Sequence, residues 1–103
     1  MDIFTLLTPY EVAKHIKKNT IPDWHKFINE TLKSLINNEI IDLEMEILLL
    51  KKAHFENKTG FDSEDMLVLT NKRDMLVRTE KLYNSVKFQK EIEYHLSKME
   101  TVV

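Results

Sequence analysis

Glu39–Asn57, EIIDLEMEILLLKKAHFEN, carries more apolar residues than a single buried face can use. At helical spacing Ile40, Leu43, Ile47 and Leu50 fall on one stripe and Ile41, Met45, Leu48 and Phe55 on a second, with Glu44 and Lys51 in the gap between them. A strand is the competing reading of Ile47–Leu50, because so short an apolar run has no period of its own. Composition favours the helix: Leu, Met, Glu and Lys dominate the segment and lose little side-chain freedom on a helix. The charges agree, with Glu39, Asp42, Glu44 and Glu46 ahead of Lys51 and Lys52, the order a helix dipole prefers. A helix apolar on two sides is expected to have neighbours on both, with only a thin edge in water.

The 103 residues read as a single all-α domain, 1–103, long enough to bury roughly 60 to 70% of the surface of the unfolded chain. With one Gly and two Pro there is little turn chemistry for the tight connections of β or α/β folds. The expected architecture is a compact bundle of about five helices built on a central antiparallel helical hairpin. Cysteine is absent, which excludes disulfides, thiolate catalysis and cysteine-based zinc sites. Met1–Leu7 has no basic leader and no run approaches the ~18 apolar residues of a membrane span, so a soluble, cytoplasmic protein is expected.

Net charge is −2, divided as +1 over residues 1–38, −2 over 39–61 and −1 over 62–103. So even a balance speaks against both a strongly basic nucleic-acid binder and an acidic nucleic-acid mimic. Arg occurs only at Arg73 and Arg78 among many Lys, Asn and Ile, a usage that suggests the AT-rich genome of a phage or bacterium.

Ahead of the central stretch, Thr8-Pro9-Tyr10-Glu11 predicts a helix start, with Thr8 as N-cap, Pro9 in the first position, Glu11 closing a capping box and Leu7 stapled to Val12. That helix runs to about Lys18, and Thr20 with Asp23 can cap the next. Trp24, Phe27, Ile28, Thr31, Leu32, Leu35 and Ile36 then mark an amphipathic helix from about Pro22, expected to end at Asn37-Asn38 because the stripe resuming at Ile40 is rotated. After the central stretch, Gly60 signals a helix end, and Asp62, with Phe61 stapled to Met66, signals a restart. Over 63–83, Val68, Met75 and Leu82 form one row and Leu69, Leu76 and Tyr83 the next, a two-row seam for the central helix. A phase change near Asn84-Ser85 precedes a last helix to about Met99, with fraying expected from Glu100.

The sequence offers no catalytic constellation. None of the four histidines has metal-ligand spacing to another, and each reads as a surface or capping residue. His54, which continues the Ile40 row, could cap carbonyls, pack on a tyrosine, or make a buried pH-sensitive contact. The acidic pairs Glu44/Glu46 and Glu91/Glu93 fit solvated faces, and no glycine-rich phosphate loop or nucleophile elbow occurs. No enzyme, cofactor or metal is expected.

Two interaction classes remain. Leu7–Ile16 followed by Thr20-Ile21 and Trp24 resembles the helix-turn-helix of excisionase and MerR-like regulators, over under a fifth of the chain. It departs from that pattern in a shorter inter-helix segment, a missing turn glycine, and Pro22-Asp23 where base-reading side chains begin. The resemblance implies DNA binding, with Lys14, Lys17, Lys18, Lys26 and Lys33 available to phosphates and the later helices as a dimerisation hairpin. The stronger expectation is a non-enzymatic protein-protein interaction or regulatory protein: an adaptor, inhibitor or accessory factor that self-associates. Its interface would use Ile41, Met45, Leu48 and Phe55, with Trp24 and Tyr83 as aromatic anchors.

Overall fold

The computed structural model describes residues 2–57 and 63–101, and all its regular elements are helical. A 3₁₀ turn (Ile3–Thr5) leads into α1 (Pro9–Asn19). A helical rod follows, made of α2 (Trp24–Lys26), a π-helical segment (Phe27–Leu32) and α3 (Lys33–Asn57). Then come α4 (Ser63–Tyr83) and α5 (Val86–Thr101). The turn expected around Gly60, the Asp62 cap, the Phe61 staple and the chain beyond Thr101 lie outside the described residues.

Thr8 caps α1 as expected, while the Glu11 side chain meets it through the Thr8 hydroxyl rather than through the backbone N–H of a full capping box. Thr8 Oγ1 accepts from the Glu11 backbone N–H at 3.2 Å and donates to Glu11 Oε1 at 3.0 Å. Its end differs from expectation: Thr20 takes no part in capping the next helix but closes α1, in the left-handed conformation at φ 52°, ψ 52°. The Ile21 N–H reaches back to the Ile16 carbonyl at 3.1 Å and the Thr20 N–H to that of Lys17 at 3.4 Å. This paired closure is a Schellman motif with a β-branched residue in the position glycine usually fills. Asp23 alone caps the following helix, its carboxylate accepting from the Lys26 N–H at 3.1 Å.

The break expected at Asn37-Asn38 is absent, and the rod is helical from Trp24 to Asn57. Ile28, Leu32, Ile36 and Ile40, all buried, recur at intervals of four. In a uniform α-helix each such step turns the stripe by ~40°. The wider i→i+5 winding at 27–32 takes up part of that drift, which keeps Ile28 and Leu32 in line with the later residues without a break.

The core draws on Ile3 and Leu6 at the start of the chain, Val12, Ala13 and Ile16 of α1, the rod from Ile28 to Leu43, Leu76 and Tyr83 of α4, and Phe88 and Ile92 of α5. Around it α1 packs on α5, and α3 on α4. The chain turns from α4 to α5 at Asn84-Ser85, where the sequence places a break, and Ser85 Oγ accepts from the Phe88 N–H at 3.1 Å. The bundle is drawn out, at 60 × 23 × 22 Å with a radius of gyration of 17.4 Å. A compact chain of this length would have about 13 Å.

Candidate interaction surface

Beyond Leu43 on α3 and before Leu76 on α4, Ile47 is the one buried side chain among the described residues. There the first stripe of the central stretch meets α4, with Leu50 and Leu69 half-buried. The second stripe lies mostly in water among the described residues: Ile41 is 56% exposed, Met45 55%, Leu48 62% and Phe55 84%. The expectation of neighbours on both sides is therefore corrected. The outer part of α3 is covered on one side only, because α1 and α5 are gathered around Ile28–Leu43 instead.

The two rows of α4 divide likewise. Leu76 and Tyr83 are buried, whereas Val68 and Leu82 face solvent, so the expected seam is one row wide. Leu49, exposed beside Leu48, borders a groove of about 490 Å³ between α3 and α4 that Leu50, Ala53, Val68 and Leu69 also line. Exposed apolar surface thus runs from the stripe, past Leu49, into this groove. Fully burying a side chain of this kind is worth about 1.5–3 kcal/mol, so the four stripe residues leave several kcal/mol for a partner to gain.

Of the two aromatic anchors expected, Tyr83 must be corrected. It is fully buried, and its hydroxyl donates to the Leu6 carbonyl oxygen at 2.6 Å. Burial first, and the negative charge of Glu11 second, raise its pKa well above the usual tyrosine value, so it is an internal, neutral group. Trp24 is half-buried, its ring stacked on His25 at 3.7 Å between centroids. It lines a separate groove with Ile16, Ile21 and Leu96, away from the α3 stripe.

Lys14, Lys17, Lys18 and Lys26 are exposed and Lys33 half-buried, and none has an ion-pair partner among the described residues. In a helix-turn-helix the first helix packs on the recognition helix, but here α1 lies chiefly on α5. His54 is exposed rather than buried. His15 stacks on Phe27 at 5.5 Å and His95 lies edge-on to Tyr10 at 5.4 Å, so both are packing residues. Among the described residues no three of His, Cys, Asp or Glu lie close enough to hold a metal ion, and no helix is long and apolar enough to cross a membrane. The surface the sequence reading did not single out is the α3/α4 groove; the signal for it lies in Leu49 and Ala53, apolar residues that belong to neither stripe. No protein-family model, curated protein or solved structure matches this chain.

Proposed function

We propose that this chain is a non-enzymatic interaction or regulatory protein, an adaptor, inhibitor or accessory factor that acts as a self-associated species joined through the outer part of α3. The observation that carries the reading is the contiguous stripe Ile41, Met45, Leu48 and Phe55, each residue more than half exposed. Apolar patches of this kind on a small protein usually mark a contact surface. Sedimentation equilibrium of the wild type beside Met45→Glu, Leu48→Glu and Val86→Glu tests it. The first two variants should dissociate the assembly at least about tenfold more readily, because each places a charge inside the contact. Val86→Glu, on the exposed side of α5, should leave it unchanged. Equal behaviour of all three variants would contradict the reading.

A further inference from the structure

We propose that the surface covering the α3 stripe is the same stripe of a second copy of this chain, laid antiparallel along it; the inference rests on the self-association reading above. Ile41, Met45, Leu48, Lys52 and Phe55 follow one another at alternating steps of four and three, the spacing of a two-helix seam. All five are exposed. They cover about 21 Å of helix. Only one of them is charged, and the direction of pairing turns on it.

In a parallel dimer Lys52 would meet Lys52 of the second copy inside the seam. Antiparallel pairing sets Lys52 against Ile41 at the end of the seam, where its long stem lies on apolar surface and its ammonium reaches water. The flanks agree. Asp42, Glu44 and Glu46 precede Lys51 and Lys52, so antiparallel copies oppose acid to base, with Glu44 across from Lys51 of the second copy, twice by symmetry. Parallel copies would align acid with acid. The approach is open as well, since Thr31, Ser34, Asn37 and Asn38, which continue this side of the rod, are exposed. Lys52 has a local partner, Glu56 at 3.9 Å, but with both side chains mostly in water that pair holds it only weakly.

The chain contains no cysteine, so single-cysteine variants report pairing without background. Ile41→Cys and Lys52→Cys change exposed positions only. When the two are mixed at equal concentration and mildly oxidised, the mixed disulfide should exceed either self-disulfide at least about fivefold, because only the mixed pair falls within bonding distance. A dominant Ile41→Cys self-disulfide would mean parallel pairing and overturn the proposal. So would the absence of any cross-link from a sample that sediments as a dimer, a result that leaves self-association standing on another surface. A wild type that is monomeric removes both. As a second readout, Glu44→Lys should weaken the dimer about fivefold and Lys51→Glu in the same chain should restore it; no restoration would count against the pairing.

Discussion

The Tyr83 hydroxyl donates a 2.6 Å hydrogen bond to the carbonyl oxygen of Leu6, across 77 positions of sequence. Both residues are buried, so this one bond fastens the start of the chain to the end of α4. Phe88 stands edge-on to the Tyr83 ring at 5.4 Å, which adds α5 to the same junction. Tyr83→Phe removes the donor while keeping the ring, and the Leu6 carbonyl is left buried and unpaired. A loss of about 1–3 kcal/mol is expected in urea unfolding. Tyr94→Phe, at an exposed position, should change stability by less than about 0.5 kcal/mol.

The same burial makes Tyr83 a source of alkaline instability. Its folded-state pKa is raised, by desolvation first and by Glu11 second, whereas in the unfolded chain it titrates at about 10. The native state therefore keeps a proton that the unfolded state gives up. Stability from this source is complete below pH ~10 and is lost as pH rises from there toward the folded value. Unfolding free energies of wild type and Tyr83→Phe, measured from pH 8 to 11, should converge above pH ~10. Parallel curves would show that Tyr83 ionises equally in both states.

Thr20 holds a left-handed conformation that disfavours a branched side chain. Glycine fits the position without that strain, although it also gives the unfolded chain more freedom. Thr20→Gly is expected to raise stability by about 1 kcal/mol, read from the shift of the urea midpoint at constant slope. Destabilisation would mean that the Thr20 side chain contributes more than its backbone costs.

Asn38 lies within a continuous helix, where the sequence alone suggests a gap. Proline there removes an intrahelical bond and clashes with the preceding turn. Asn38→Pro should accordingly cost about 3 kcal/mol. A loss under about 1 kcal/mol would indicate that the rod is broken at that point after all.

The all-helical architecture was legible because helix formers, scarce glycine and 3.6-residue spacing all point the same way, and Thr8 caps α1 as expected. The Asn37-Asn38 break was misread because two weak helix formers coincided with a phase drift. Each Asn costs only about 0.7 kcal/mol in a helix, less than the continued burial of Ile36 and Ile40 returns. The exposed stripe was legible as apolar surplus, yet whether that surplus is covered depends on where α1 and α5 pack, which is a property of long-range contacts. Tyr83 shows the same limit: its row allowed either a seam residue or an interface anchor, and nothing local to it named Leu6 as the partner that holds it inside.

The molar mass of the wild-type protein, followed by light scattering over a dilution series, tests most directly whether the α3 stripe joins two copies. With a chain mass of 12.3 kDa, the expected result is twice that value at high concentration, falling toward 12.3 kDa on dilution. A mass of 12.3 kDa at every concentration, up to the millimolar range, would contradict it.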